Sequence, residues 1–129
     1  MFVKGDMVWF NEISPRPHDT CMVTMISQNM SEFEIHLRAI LGLPIDIKMI
    51  APAGASYCFH AKTNSVAPYY EGLKNALSFP DTKIRIFGKP TTRPKRRMGV
   101  ALAAGENIEE AREKAKKAAE SIKVIEMGL

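Results

Sequence analysis

The chain has 129 residues, of which 46% are hydrophobic and 25% are charged, and its formal net charge is +4. This length fits one compact domain that buries a core without disulfides or metal. No apolar run approaches the roughly 18 residues of a membrane span, and the amino terminus lacks the basic-then-apolar layout of a signal peptide. Cys21 and Cys58 lack zinc-type spacing, so reduced thiols are favoured over a bridge. We therefore expect a cytoplasmic protein without a membrane partner.

The positive charge is concentrated in one short stretch. Five cations fall within nine residues, namely Lys89, Arg93, Lys95, Arg96 and Arg97, and the remainder of the chain is close to neutral. A local cationic site suggests one anionic ligand rather than a long nucleic-acid track. No nucleic-acid partner is expected.

The first predicted element is a hairpin over residues 2–12, with its turn at residues 4–6. It leads into "NEISPRPHDT", residues 11–20, where Pro15 and Pro17 exclude both helix and central strand because each proline fixes φ and lacks an N–H. The next stretch, "CMVTMIS", is apolar enough for a buried strand or for a short helical turn. The pattern does not separate these two alternatives.

A helix is predicted over residues 31–41. Ser31 is a suitable N-cap with Glu34 at the capping-box position, and Gly42 ends the helix. Its apolar face, which requires a packing partner, consists of Phe33, Leu37, Ile40 and Leu41.

The second half of the chain mixes strands and helices. The predicted elements are strands over residues 47–61, 82–89 and 97–105, a short helix over 68–79, a helix capped by Asn107, and a return to a sheet edge at 123–125. The buried stripe of the last helix is predicted to consist of Ile108, Ala111, Ala115, Ala118 and Ile122. Because strict βαβ alternation is absent, the fold class is α+β.

Three groups of residues are candidates for chemistry. Glu12, at the end of the hairpin, suits Mg²⁺ beside a nucleotide, with Arg16 stabilising phosphoryl charge; the alternative is a Glu12–Arg16 ion pair at a strand end. Asp19 either accepts hydrogen bonds from an amine substrate or forms an Asx turn after Pro17.

The third group is the cationic stretch "FGKPTTRPKRRMG". Lys89, Arg96 and Arg97 lie near the adjacent ends of two predicted strands, where they can converge on one phosphate. The alternative is a solvated hairpin tip whose charges aid solubility. The glycine-rich pattern of a P-loop is absent from this sequence.

The order of several motifs resembles one family. "VKGDMVWFNEISPRPHDT", "MVTMISQNMSEFEIHLRAILGLPI", "DTKIRIFGKP" and "RRMGVALAAGENIEEAREKAKKAA" together resemble the carboxy-terminal part of formate-dependent phosphoribosylglycinamide formyltransferase, an ATP-grasp enzyme of purine biosynthesis. A related carboxylase ATPase subunit of the same pathway is the nearest alternative, and "PRPHDT" and "KRRMG" fit the formyltransferase better. The resemblance implies the end of an ATP-grasp domain over residues 1–45 and a small, partly barrel-like α/β domain over residues 46–129.

The resemblance also implies roles for individual residues. The family uses ATP and Mg²⁺ to activate formate, which the amine of glycinamide ribonucleotide then attacks. By this resemblance Glu12 matches a Mg²⁺ ligand and Asp19 a contact to glycinamide ribonucleotide, while Lys89, Arg96 and Arg97 match the cations that bind the phosphate of that substrate. Arg16 lies where related enzymes keep a functional arginine and is our candidate catalytic residue.

Two departures from the family pattern affect these expectations. Cys21 stands where the family has glycine, and if that position needs φ > 0 a cysteine costs of order 1 kcal/mol. The chain also begins after the family's first Mg²⁺ glutamate, so we expect it to lack the ATP-binding parts, to bind no ATP or Mg²⁺ tightly and to be inactive alone.

Two readings of the function follow. In the first, the chain is one piece of a formyltransferase and assembles with a separate chain that carries the ATP-binding lobe. In the second, it is a non-catalytic remnant that binds a ribose phosphate or acts as an oligomerisation module. In both, exposed apolar surface and an open sheet edge predict a homo-oligomer, most simply a two-fold dimer.

Overall fold

The structure, a computed structural model, describes residues 1–126 of the chain. Its strands are β1 (Phe2–Lys4), β2 (Met7–Trp9), β3 (Ala53–His60), β4 (Ser65–Val66), β5 (Tyr69–Glu71), β6 (Thr82–Ile86), β7 (Thr91–Thr92), β8 (Arg97–Gly105) and β9 (Lys123–Ile125). Its helices are a 3₁₀ turn (Asp19–Val23), α1 (Thr24–Ser27), α2 (Glu32–Leu41), α3 (Leu73–Ala76) and α4 (Ile108–Glu120).

Strand β8 is the centre of the fold. It pairs antiparallel with β3 on one side and with β6 on the other, in the order β3-β8-β6. Both faces of β8 are covered, because Val100 and Leu102 point to one face while Ala101 and Ala103 point to the other. A strand buried on both faces is nearly all apolar, which explains the run from Met98 to Ala103.

Helix α4 packs on the alanine face of the sheet. Ala111 and Ala115 are fully buried and share a cluster with Ala103 of β8 and Ala55 of β3. Small side chains on both elements let the helix backbone approach the sheet closely. Of the stripe predicted from the sequence, Ala111, Ala115, Ala118 and Ile122 are buried, whereas Ile108 is 46% exposed.

The opposite face of the sheet is covered by the segment that follows "PRPHDT". Met22 of the 3₁₀ turn and Ile26 of α1 form a buried cluster with Val100 and Leu102. The stretch "CMVTMIS" is therefore helical and not a strand. Cys21 lies within the 3₁₀ turn and is not among the residues with positive φ, so the backbone strain considered for this position is absent.

The remaining strands form three separate two-stranded sheets, namely β1-β2, β4-β7 and β5-β9. A barrel requires the edge strands of one sheet to join, and here β3 and β6 lie on opposite sides of β8. Within residues 1–126 the sheets are not closed. The prediction of an α+β fold at the end of an ATP-grasp arrangement is confirmed, but the partly barrel-like closure is not.

The short helix predicted over residues 68–79 is mostly wrong. Tyr69–Glu71 forms β5, which pairs with β9, and only Leu73–Ala76 is helical. Gly72 separates the two elements with φ of +82°, and a Cβ at this position would lie 1.9 Å from the carbonyl oxygen of Ser121. The predictions for α2, β8, α4 and β9 are confirmed, including the N-caps Ser31 and Asn107.

Much of the first fifty residues presents apolar side chains to solvent. We call these side chains the amino-terminal apolar surface: Phe2, Val3, Met7, Val8, Trp9, Phe10, Ile13, Phe33, Leu37, Ile40, Leu41, Leu43, Ile45, Ile47, Met49 and Ile50. The face of α2 that requires a packing partner belongs to it, and Ile40 is 68% exposed. No helix among the described residues is long and apolar enough to cross a membrane.

Candidate functional site

The structure brings Asp19 and Arg97 into direct contact. Arg97 Nη1 donates a hydrogen bond to Asp19 Oδ2 at 2.6 Å, across 78 residues of sequence. The Asp19 side chain is only 18% exposed, whereas that of Arg97 is 52% exposed. The principal contact of the Asp19 carboxylate is thus long-range, which favours a role in a site over the alternative of a purely local Asx turn.

Local structure explains how these two residues meet. Asp19 is the first residue of the 3₁₀ turn, whose apolar side packs on β8 through Met22. Arg97 is the first residue of β8 itself. Because the turn lies against the face of the strand, the residue that begins the turn lies beside the residue that begins the strand.

Lys89 and Arg96 flank this contact. Lys89 Nζ donates to the carbonyl oxygen of Arg97 at 2.7 Å and lies 5.2 Å from the centroid of the Phe87 ring. Arg96 Nη1 donates to the carbonyl oxygen of Thr91 at 2.9 Å and to Thr91 Oγ1 at 2.7 Å. Lys89 and Arg97 therefore lie together, while the Arg96 guanidinium is held by Thr91 of β7.

A turn over residues 93–96 presents the arginine pair. Arg96 N donates to the carbonyl oxygen of Arg93 at 3.0 Å, and Lys95 has φ of +66° although it is not glycine. Backbone hydrogen bonds of 2.9 Å to Ala61, from Lys95 N to the Ala61 oxygen and from Ala61 N to the Arg96 oxygen, hold the turn against the end of β3. Left-handed backbone at a side-chain-bearing residue is strained, and sequence reasoning did not predict it.

The cluster holds several positive charges close together. Burial, followed by the positive charges of Arg96 and Arg97, holds the pKa of Lys89 below its ordinary value, and the carboxylate of Asp19 offsets only part of this. The hydrogen bond that Arg97 donates to the Asp19 carboxylate raises the pKa of Arg97, which stays charged. An anion placed among these cations would relieve their mutual repulsion.

The pKa of Asp19 is set by opposing effects. Burial by itself would raise this pKa, but the hydrogen bond and charge of Arg97, together with His18, outweigh burial and lower it. His18 Nδ1 lies 3.0 Å from Asp19 Oδ1 and 3.3 Å from the backbone nitrogen of Thr20. His18 is thus the N-cap of the 3₁₀ turn as well as a neighbour of the carboxylate.

Within residues 1–126 neither Glu12 nor Arg16 forms a side-chain hydrogen bond or ion pair with Asp19, Lys89, Arg96 or Arg97. Both are exposed and line an open cavity of about 1040 Å³ together with His18, Glu32 and His36. Arg16 Nη1 donates to the carbonyl oxygen of Pro17 at 3.1 Å, and within residues 1–126 no ion pair joins it to Glu12. The alternative of a Glu12–Arg16 pair is therefore wrong for this structure.

The residues present do not by themselves form a Mg²⁺ site. No group of three or more His, Cys, Asp or Glu side chains in the described part of the chain is arranged to hold a metal ion. One exposed carboxylate gives Mg²⁺ too few ligands, because this ion is normally held by one or two carboxylates together with substrate phosphates. Glu12 can contribute one ligand and no more.

Glu32 belongs to the site region and was missed by sequence reasoning. Its Oε2 accepts a hydrogen bond from His18 N at 3.0 Å, and its own N–H donates to Thr24 Oγ1 at 2.8 Å. The sequence signal at this helix start pointed instead to Glu34, whose carboxylate pairs with Arg38. No local pattern distinguishes two glutamates in one helical turn, so the long-range contact of Glu32 was not predictable.

The Asp19–Arg97 contact predicts a specific pH dependence of stability. Because the pKa of folded Asp19 lies below its ordinary value of about 3.9, its contribution is full above that value and is lost as the pH falls through the lower, folded-state pKa. The free energy of unfolding should therefore fall more between about pH 6 and pH 2.5 for the unaltered chain than for Asp19→Asn. We expect a difference of at most about 1 kcal/mol, since solvent screens the half-exposed Arg97.

Urea unfolding at both pH values measures this difference. The control is Asp46→Asn, which removes an exposed carboxylate paired only with exposed Lys48. This variant should keep the pH dependence of the unaltered chain. Equal losses of stability in Asp19→Asn and in the unaltered chain would contradict the pairing of Asp19 with Arg97.

Family models cover both parts of the chain. Residues 54–122 match the family described as "PurT, C-terminal", and residues 1–33 match the family described as "ATP-grasp domain". The first match includes the β3-β8-β6 sheet except for Ala53, and the whole of helix α4. The second contains the hairpin, "PRPHDT" and the 3₁₀ turn.

Curated relatives agree with these matches. The chain is 57% identical over 126 residues to a formate-dependent phosphoribosylglycinamide formyltransferase of Geobacter metallireducens, covering 97% of this chain and 32% of the relative. It is also 57% identical over 124 residues to the enzyme of that name from Methanocaldococcus jannaschii, covering 96% and 31% respectively. The chain thus spans about a third of the length of the curated relatives that it matches.

Solved structures share the fold. N5-carboxyaminoimidazole ribonucleotide synthetase from Thermotoga maritima is 32% identical with a TM-score of 0.81, covering 91% of this chain and 33% of that protein. Glycinamide-RNase-transformylase T from Mycobacterium tuberculosis is 34% identical with a TM-score of 0.74, covering 94% and 30%.

The resemblance inferred from the sequence motifs is confirmed by these comparisons. The family model matches more than half of the chain, since residues 54–122 are 69 of its 129 residues. The chain belongs to the PurT carboxy-terminal family, with relatives that are formate-dependent phosphoribosylglycinamide formyltransferases.

Proposed function

We propose that this chain supplies the carboxy-terminal part of an ATP- and formate-dependent glycinamide ribonucleotide formyltransferase, and that its role is to hold the ribonucleotide substrate. The observation that carries the proposal is the contact of Asp19 with Arg97, with Lys89 beside it. Glycinamide ribonucleotide carries a phosphate at one end and a free amine at the other. A site with clustered cations and one mostly buried carboxylate matches both groups.

The proposed roles follow from charge. Lys89, Arg96 and Arg97 bind the substrate phosphate, and Asp19 accepts hydrogen bonds from the glycinamide end, so that its amine is oriented for attack on an activated formyl group. Without ligand, Asp19 and Arg97 neutralise each other at 2.6 Å. A simple anion that takes Arg97 would leave the half-buried Asp19 carboxylate without its partner, which is unfavourable. A ligand carrying both a phosphate and an amine re-pairs both side chains.

The exposed residues Glu12 and Arg16 have a smaller proposed role. Glu12 is proposed as one ligand of Mg²⁺, and Arg16 as a residue that stabilises phosphoryl charge. The site would be completed by ATP and by the parts of the longer relatives that this chain does not cover. Glu12 and Arg16 line one cavity together with His18, and His18 is in contact with Asp19, the carboxylate proposed to bind the substrate. This arrangement supports the proposal.

We also propose a division of the chain into residues 1–45, as the end of an ATP-grasp domain, and residues 46–129, as the associated carboxy-terminal domain. The separate family matches over 1–33 and 54–122 support it. The ATP-binding parts of the family are then supplied either by a longer polypeptide or by a separate chain. Activity of the 129 residues alone is not expected in either case.

A second candidate function is that of a non-catalytic ribose-phosphate-binding or oligomerisation module. The amino-terminal apolar surface favours it, because patches of this extent on soluble proteins commonly mark association sites. This candidate shares the phosphate site with the first. It differs in predicting that no ATP-binding partner is needed for the biological role.

Titration calorimetry with glycinamide ribonucleotide tests the proposed substrate site. We expect binding to the unaltered chain, and an affinity lower by about ten- to a hundredfold in Lys89→Ala and in the Arg96/Arg97 double alanine variant, since each removes charge-assisted hydrogen bonds. Lys116→Ala is the control because it removes an exposed cation of α4 that pairs only weakly with Glu120, at 3.9 Å.

The outcomes of this titration are distinct. Weakening in the site variants but not in Lys116→Ala supports a preformed substrate site. Failure of the unaltered chain to bind contradicts it, and equal weakening in the control indicates general electrostatic attraction only.

The oligomeric state is a separate proposal. We expect the isolated chain to form a dimer at micromolar concentration through the amino-terminal apolar surface, because hiding that surface from water is favourable. Light scattering should report a doubled mass, and Leu37→Lys combined with Ile40→Lys should shift the mass to that of a monomer. Ile108→Lys, which changes an exposed residue outside the surface, should leave the dimer intact. A monomeric unaltered chain would contradict the proposal.

A further inference from the structure

Glu32 connects three segments of the chain around Asp19, the carboxylate proposed to bind the substrate. Its Oε2 accepts the backbone N–H of His18 at 3.0 Å, and its own N–H donates to Thr24 Oγ1 at 2.8 Å. The Thr24 hydroxyl in turn donates to the carbonyl oxygen of Cys21 at 2.7 Å. The start of helix α2, the 3₁₀ turn and the end of "PRPHDT" are therefore joined by one chain of hydrogen bonds.

The hydrogen bond from His18 N to Glu32 lies in a segment that has few backbone N–H donors. Pro15 and Pro17 have no N–H, so the His18 N–H is the donor that directly precedes Asp19. Asp19 then directs its Oδ2 to Arg97 at 2.6 Å. Because His18 directly precedes Asp19, a fixed His18 amide restricts the position of the Asp19 backbone and therefore of its side chain.

Helix electrostatics alone do not account for this contact. A carboxylate in the first turn of a helix is stabilised by the helix dipole, and Glu34 satisfies that preference equally well while pairing with Arg38 at 2.8 Å. Glu32 instead turns toward the preceding segment, and its Oε1 is buried without a hydrogen-bond partner among the described residues. Leaving a buried acceptor unpaired costs stability. The Glu32 side chain therefore holds the His18 backbone in place, although its unpaired Oε1 lowers the free energy of unfolding.

We propose that Glu32 is a positioning residue of the substrate site: it holds the His18–Asp19 backbone so that the Asp19 carboxylate faces Arg97 and the incoming amine. This inference rests on the proposed function for its biological meaning. The positioning itself is a property of the free chain and can be tested without any ligand.

The test compares Glu32→Ala, Glu32→Asp, Glu32→Gln and Glu34→Ala by NMR. Glu32→Ala removes the acceptor, and Glu32→Asp keeps the charge but withdraws the carboxylate by one methylene. In both we expect hydrogen exchange of the His18 amide to quicken by about tenfold, the factor that matches one lost hydrogen bond, and the pKa of Asp19 to rise toward its ordinary value. Glu32→Gln keeps an acceptor oxygen and should restore both readouts to within about threefold and a few tenths of a pKa unit.

Glu34→Ala is the matched control, because it removes a first-turn carboxylate of the same helix that does not contact His18. It should lower the thermal stability as much as Glu32→Asp while leaving the His18 exchange rate and the Asp19 titration unchanged. The proposal is overturned if Glu32→Asp leaves both readouts unchanged, or if Glu34→Ala moves them equally. Since no substrate is present, a negative result here is distinguishable from failure of the calorimetric test of substrate binding.

Discussion

The contact between Asp19 and Arg97 is the interaction on which the proposed site depends. It joins a proline-rich segment near the amino terminus to the start of the central strand, 78 residues later. The proline-rich segment has few backbone donors to fix it, since Pro15 and Pro17 lack N–H groups, and the start of β8 follows a turn with left-handed backbone at Lys95. The packing of Met22 on β8 brings them close, and the charged contact then sets which groups face each other.

The positive charge of the cluster formed by Lys89, Arg96 and Arg97 is only partly neutralised by neighbouring groups. Arg97 is paired with Asp19, Arg96 is held by Thr91, and Lys89 is held by a backbone carbonyl with no carboxylate within salt-bridge distance in the described chain. Burial and neighbouring positive charge lower the pKa of Lys89. The arrangement therefore keeps positive charge beside one carboxylate. Under the proposed function, that carboxylate would favour ligands that carry an amine as well as a phosphate.

Sequence reasoning located the elements whose signals are local. The caps Ser31 and Asn107 defined two helices, and the apolar run from Met98 to Ala103 defined β8. It failed where tertiary contacts decide: β5 forms only because β9 returns to pair with it, and Glu32 rather than Glu34 meets His18. Residue chemistry singled out the candidate site residues, but for Asp19 it favoured a local turn over a ligand, and only the family resemblance gave each residue a specific role.

A double-mutant cycle on Asp19→Asn and Arg97→Gln tests most directly whether this contact couples the two halves of the site. The free energies of unfolding of the unaltered chain, both single variants and the double variant are measured in urea at neutral pH. The structure predicts a coupling energy of about 0.5–1 kcal/mol, the range for a partly exposed ion pair. Additive effects, with a coupling energy indistinguishable from zero, would contradict the account, because the two segments would then be held without the contact proposed to organise them.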